Sequence, residues 1–139
     1  MKKFDFRLNK VLDHREHRRK ESKEELAQRN NELQAIVQQI SFITGEQDKL
    51  AKQDSMALNV ADLLLSSGYQ DRLLSQLKEQ KVFEKKAQGE VALARENYIA
   101  KSQDVKALEM LKSKKLEEYR VEVKRGDRKM LDEVAHRQR

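Results

Sequence analysis

The feature that most constrains this fold is a narrow apolar stripe in the last third of the chain, between Val105 and Arg139. Its members recur mostly at steps of three, four or seven residues, and charged residues fill the positions between them. A helix cannot bury so narrow a stripe by itself, so a second helix has to cover it. The stripe consists of Val105, Leu108, Leu111, Leu116, Tyr119, Val123, Met130 and Val134. The sequence therefore predicts a coiled coil rather than a globule.

The partner helix is predicted in the first part of the chain, where apolar residues alternate between two heptad positions. One position holds Leu12, Leu26, Leu33 and Ile40, and the other holds Leu8, Ile36, Ile43 and Leu50. Polar residues interrupt this seam at the core positions Arg15, Arg19 and Ser22. The stretch from Asp13 to Glu25 contains no apolar residue but still favours helix, because its residues have high helix propensity and opposite charges lie four residues apart.

The segment 54–68 (DSMALNVADLLLSSG) breaks the heptads and is predicted to be the turn between the two helices. Within it, Asn59 or Ser55 can cap a short helix over Val60 to Leu65, which ends before Gly68. The pattern resumes after Tyr69 with Leu73, Leu77, Ala87, Val91, Ala94, Tyr98, Val105 and Leu108.

We therefore predict an all-α fold, an antiparallel two-helix coiled-coil hairpin with a short irregular or helical linker. The first helix is expected over about 5–53, the linker over about 54–68 and the second helix over about 69–135. Residues 1–139 are expected to form one coiled-coil domain, with Gly126 a weak point near the end of the second helix.

Composition supports long helices, since 39% of residues are charged, only 5% are aromatic and proline is absent. Cysteine is absent as well, which excludes disulfides and thiol chemistry and suits a cytosolic protein. Apolar runs such as Leu63 to Leu65 are too short to cross a bilayer, so we expect a soluble protein.

The net charge of +6 is concentrated at the two ends of the chain. Residues 1–25 carry nine basic and six acidic groups, and residues 101–139 carry twelve and eight. A hairpin brings these ends together, which predicts a basic tip for a protein partner of opposite charge. The basic residues concerned are Lys2, Lys3, Arg7, Lys10, Arg120, Lys124, Arg125, Arg128 and Lys129.

No catalytic, cofactor or metal site is predicted. The sequence contains no glycine-rich phosphate loop, no G-x-S-x-G and no H-E-x-x-H motif. His14 and His17 could share a helix face, but two neutral imidazoles without a third ligand make a poor metal site, and both lie among arginines. A two-helix rod also offers no pocket that excludes water, so we expect no enzyme activity.

A dimeric, nucleic-acid-binding coiled coil is the alternative interpretation. The basic stretch from His14 to Lys20 precedes Leu26 and Leu33, as a basic region precedes a zipper. Acidic residues interleave this stretch and weaken its field toward phosphates, and no aromatic residue lies there to stack on bases. We therefore expect no nucleic-acid partner and, because a wide apolar face is missing, no direct membrane insertion.

Two end motifs resemble the flagellar type III export protein family FliJ. The opening FDFRLNKVLDHR is similar to the family's F-x-F-R-L-x-x-V-L-x-x-R start. The ending RGDRKMLDEVAHR is similar to R-x-D-x-K-x-x-D-E-x-A-x-R, and it is carried by Arg125, Asp127, Lys129, Asp132, Glu133, Ala135 and Arg137. Stalk proteins of the YscO type in injectisomes share the architecture and are the near alternative.

The resemblance implies a cytoplasmic, monomeric stalk at the inner membrane that places its paired termini in a hexameric export ATPase. It also implies contact with the membrane export gate protein and with export chaperones. The residues expected to bind the ATPase are Phe6, Arg7, Leu8, Leu12, Arg125, Arg128, Lys129, Asp132 and Glu133. Those expected at the gate are Tyr69, Leu73 and Leu77, facing Phe42 across the hairpin, although Arg72 stands where the family often has an aromatic residue.

Overall fold

The computed structural model describes residues 3–56 and 59–138, which form two long helices packed against each other. The first helix, α1, is Asn9–Asp54, and the second helix, α2, is Val60–Arg137. The described residues contain no strand. The prediction of an all-α, two-helix hairpin is therefore confirmed.

The chain divides into two compact units. The terminal unit consists of Met1–Glu21 and Tyr98–Arg139, and the central unit is Ser22–Asn97. In each unit a stretch of α1 packs against a stretch of α2. The prediction that residues 1–139 form one domain stays a prediction.

The first helix begins at Asn9 rather than near residue 5, because the preceding residues pack on α2 in a non-helical conformation. The ring centroids of Phe4 and Tyr119 are 5.6 Å apart. Phe6 is buried, and its carbonyl accepts a hydrogen bond from the Asn9 amide at 3.0 Å. Arg7 and Leu8 form a turn that leads from this segment into α1, and Leu8 packs against the core of Leu12, Val105 and Leu108.

The core of the terminal unit is a small cluster of Leu12, Val105 and Leu108, with Leu8 packed at its edge. Val105 is fully buried. At the start of α1 the Lys112 ammonium donates to Asn9 Oδ1 at 3.3 Å, which adds a polar contact between the helices. These contacts confirm that the apolar stripe of the last third faces the first helix.

The stripe does not stay covered to its end, which corrects the prediction. Leu116, Tyr119 and Val123 are half-buried, but Met130 and Val134 are 68% and 53% exposed. Lys3 and Phe4, the first residues that the structure describes, lie beside Tyr119 of α2. The second helix continues beyond Tyr119 to Arg137. We call residues 124–138, which lie beyond this packed region, the C-terminal arm.

The core of the central unit is formed by Ile43, Leu50 and Leu73, with Leu77 packed against them. Further along α2 the small residues Ala87, Val91 and Ala94 are buried at heptad spacing. Their burial agrees with the predicted second half of the seam. Across the two helices Arg29 donates to Glu90 at 3.4 Å, while it also donates to Glu32 on its own helix.

The second helix begins well before the predicted position near residue 69. Asn59 caps it, since its side-chain Oδ1 accepts the Asp62 amide hydrogen at 3.1 Å. The Ser66 hydroxyl and the Gln70 amide both donate to the Asp54 carboxylate at the end of α1. Ser66 and Gly68 therefore lie inside a continuous helix, and the predicted end of a short helix at this point was wrong.

The glycines also fail to interrupt either helix where the sequence predicts weakness. Gly45 lies within α1 and Gly126 within α2. Among the described residues no glycine has a positive φ, so none adopts the left-handed conformation that ends helices.

Candidate interaction surfaces

The apolar residues at the start of the chain serve the packing of the terminal unit. Phe6 and Leu12 are 7% and 4% exposed, and Leu8 is half-buried. Their burial leaves these three side chains little surface for an apolar collar of the ATPase ring, and their binding of the ATPase stays a prediction. Arg7, between Phe6 and Leu8, is exposed and stays available for contact.

A groove of about 700 Å³ lies between the first residues of the terminal unit and the facing part of α2. Its apolar wall includes Phe4 and Tyr119, and its charged rim includes Arg7, Lys115 and Glu118. The N-terminal basic residues Lys3 and Arg7 thus lie along residues 111–122 of α2. Lys2, which the sequence places in the same basic cluster, is outside the described residues.

The C-terminal arm carries the second basic cluster on an exposed helix. Arg125, Arg128, Lys129, Asp132 and Glu133 are all exposed. Spacings of three and four residues place these side chains on one face. None of the arm's charged side chains makes an ion pair with another described residue.

The opposite face of the arm is apolar. Met130 and Leu131 lie four and three residues before Val134, and all three side chains are at least half exposed. Asp127 lies on the same side, three residues before Met130 and four before Leu131. The arm therefore has one charged face and one mainly apolar face, and the described chain covers neither. A helix with this pattern is suited to insertion into a partner that covers both faces.

The residues predicted to face each other across the central unit do not form one surface. Leu73 is 4% exposed and Leu77 is half-buried, and both pack on the core that contains Ile43. Phe42 is 62% exposed, because one step along a helix turns the side chain by about 100° away from its neighbour Ile43. Phe42 and Tyr69 are exposed, whereas Leu73 and Leu77 belong to the core.

The start of α2 carries an apolar surface that sequence reasoning overlooked. Val60, Leu64 and Leu65 are 72%, 69% and 75% exposed. The signal was present as the three consecutive leucines Leu63 to Leu65, but the interpretation of 54–68 as a turn assigned no partner and no role to them.

Of the two histidines considered as metal ligands, His17 contacts a carboxylate of its own helix. His17 Nε2 lies 2.9 Å from the Glu21 carboxylate one turn along α1, and His14 is exposed. In the described part of the chain no group of three or more His, Cys, Asp or Glu side chains is arranged to hold a metal ion. No helix formed by the described residues combines the length and apolarity needed to cross a bilayer.

These features define a class of protein, the two-helix coiled-coil hairpin with an amphipathic helical arm. The family model described as Flagellar FliJ protein matches residues 3–139, essentially the whole chain. The chain therefore belongs to the FliJ family, and the resemblance seen in its end motifs is confirmed. Searches of curated proteins and of solved structures give no match.

The family fixes the general role of the chain. FliJ proteins are non-catalytic components of flagellar protein export and interact with the export apparatus. This chain is accordingly a flagellar export-associated coiled-coil protein.

Proposed function

We propose that this protein is a stalk of the flagellar export apparatus whose C-terminal arm engages the hexameric export ATPase. The observation that supports the proposal most directly is the arm itself. It is helical to Arg137, its basic residues are exposed and it extends past the segment that covers the rest of α2. The fourteen residues from Lys124 to Arg137 correspond to about 21 Å of helix.

The chemistry of this contact is electrostatic on one face and apolar on the other. Arg125, Arg128 and Lys129 are offered to acidic loops that line the hole of the ring, and Asp132 and Glu133 add carboxylates for basic groups there. Because these five side chains have no intramolecular ion pair among the described residues, binding does not have to break one. Phe6, Leu8 and Leu12 are assigned a supporting role, in which they hold the N-terminal segment and exposed Arg7 beside α2.

The contact with the membrane export gate is proposed at Phe42 and Tyr69. Both rings are exposed on the central unit, whereas Leu73 and Leu77 belong to its core. The protein would act in the cytoplasm, at the inner membrane, together with export chaperones.

The alternative of a nucleic-acid-binding zipper requires two copies of the chain to bury the apolar stripe. A zipper has to dimerise because its apolar stripe is otherwise exposed. Here Leu12 and Ile43 are buried by α2 of the same chain, so the stripe needs no second copy.

The proposed ATPase contact is tested with the variant Arg125→Glu, Arg128→Glu, Lys129→Glu. The matched control is Lys78→Glu, Lys81→Glu, Lys85→Glu, which changes three exposed lysines of the central unit by the same total charge. Binding to a purified flagellar export ATPase hexamer is measured by biolayer interferometry. Circular dichroism first establishes that both variants are as helical as the wild type.

We expect the control to bind like the wild type and the arm variant to lose at least about tenfold in affinity, since three charges that attract an acidic partner become charges that repel it. Equal loss in both variants would show a response to net charge alone. Undiminished binding by the arm variant would contradict the placement of the contact on the arm.

A further inference from the structure

A second cluster of basic residues lies in the terminal unit, away from the C-terminal arm. It surrounds a small cavity of about 220 Å³ between α1 and α2. His14, Arg15 and Arg18 line it from α1, and Lys101 and Asp104 line it from α2. Three permanent cations therefore face one carboxylate across a space that is open to small solutes.

These cations have no partners among the described residues. No hydrogen bond or ion pair in the described chain engages Arg15, Arg18 or Lys101, and Asp104 makes none either. Arg15 and Lys101 are half-buried, so water screens them less than it screens an exposed side chain. Cations held together in this way repel one another, and a bound anion would remove that repulsion.

The cluster differs from ordinary surface charge because one of its residues, Arg15, belongs to the seam between the helices. Arg15 occupies a core position of the heptad pattern, where the seam is polar instead of apolar. Next to Lys101, the Ser102 hydroxyl is buried without a hydrogen-bond partner in the described residues. This section of the seam therefore holds donors that the two helices do not satisfy themselves.

We infer that this cavity binds a small oxyanion of the phosphate class. Two guanidinium groups and one ammonium supply the donors that phosphate oxygens require, and arginine can donate to two oxygens at once. The volume is below the range of about 300–1,000 Å³ that drug-sized ligands occupy, which favours a small anion over a whole nucleotide.

Asp104 gives the site a way to select among anions. Phosphate at neutral pH keeps at least one proton, which can be donated to the Asp104 carboxylate. Sulfate has the same shape but no proton at that pH, so the carboxylate only repels it. The site should therefore bind phosphate more tightly than sulfate, although both present similar oxygen atoms to the arginines.

The test is a titration of the full-length protein with sodium phosphate in a non-phosphate buffer at constant ionic strength of about 0.15 M. Backbone amide chemical shifts locate the binding, and their saturation gives the dissociation constant. The variant is Arg15→Gln with Lys101→Gln. The control is Lys10→Gln with Lys106→Gln, which removes two exposed charges from the same unit outside the cavity. Arg15 and Lys101 are both half-buried, so their replacement could also disturb the packing. Arg18→Gln, at an exposed position, therefore serves as a second variant.

We expect saturable shifts around residues 14–18 and 101–104, a loss of at least about tenfold in affinity for the cavity variants, and little change for the control. Asp104→Asn should bring the sulfate affinity up to that of phosphate. Shifts that do not saturate, or equal loss in variant and control, would overturn the inference.

Titrations with pyrophosphate and with ADP distinguish a site for a small inorganic anion from a site for a nucleotide. Pyrophosphate should bind at least as well as phosphate, and ADP no tighter than pyrophosphate, because the cavity has no room for the base and ribose. Tighter binding of ADP would contradict a site for a small anion. None of these outcomes depends on binding to the export ATPase.

Discussion

At the scale of single residues, burial rather than residue type separates positions that hold the fold from positions that are free for contact. Val105 and Ile43 are 0% and 1% exposed, whereas Phe42, which precedes Ile43, and Val121, further along α2, are 62% and 40% exposed. In a two-helix fold each core layer has only a few members, so the loss of one is poorly compensated by the others.

Truncation of Val105 to alanine should destabilise the protein by about 2 kcal/mol, because it removes two fully buried methyl groups and leaves a cavity. Val121→Ala is the matched control and should stay within about 0.5 kcal/mol of the wild type. Urea unfolding followed by circular dichroism measures both. Similar losses in the two variants would contradict the core assigned to the terminal unit.

Gly126→Ala should make the C-terminal arm a more stable helix, by about 0.5–1 kcal/mol. A methyl group at this position meets no atom within 4 Å, and the backbone φ is not positive, so alanine fits without strain. Amide hydrogen exchange should slow in the arm while the midpoint of thermal unfolding stays nearly constant. Unchanged exchange in the arm would show that the glycine does not limit its stability.

At the scale of elements, the polar contacts between the end of α1 and the start of α2 explain why helix replaces most of the predicted linker. Asp54 accepts hydrogen bonds from Ser66 and Gln70, and Asn59 caps α2. A serine that bonds to another element does not compete for its own backbone, so the Ser66-Ser67-Gly68 sequence continues the helix here.

Asp54→Ala should destabilise the start of α2 by about 1–3 kcal/mol, since it removes a carboxylate whose two oxygens each accept one hydrogen bond in a partly buried site. Asp71→Ala, at an exposed carboxylate in the same unit, is the control. Limited proteolysis and hydrogen exchange should find opening confined to the first turns of α2. Equal protection in both variants would contradict the role assigned to Asp54.

At the scale of the whole molecule, the hairpin covers its own apolar seam and leaves charged and amphipathic surfaces for partners. The seam residues Leu12, Ile43 and Leu73 are buried within one chain. Among the described residues, exposed apolar side chains lie in the arm, at the start of α2 and at further positions that include the adjacent pair Val82 and Phe83. Such a chain is built for contact with other proteins rather than for a ligand-filled interior.

The isolated protein should therefore be a monomer of 16.4 kDa over a wide range of concentration. Sedimentation equilibrium measures the mass directly. A mass that doubles as the concentration rises would indicate that the exposed apolar residues pair between copies, and it would restore the zipper interpretation. The Met130→Ser, Val134→Ser variant would then show whether the arm forms that interface.

The sequence by itself determined the two helices, their pairing and the family, because heptad spacing is a local property that each helix carries independently. Leu12, Ile43, Leu73 and Val105 could be assigned to the core from spacing alone. Heptad spacing could not show how far along α2 the apolar stripe is covered, because burial there depends on the position of the sequence-distant first residues. The tertiary structure alone decided that Phe6 packs inside, that Phe42 points outward, and that Met130 and Val134 stay exposed where no described segment faces α2. The polar cavity at Arg15 and Lys101 likewise exists only because two sequence-distant basic residues meet across the seam.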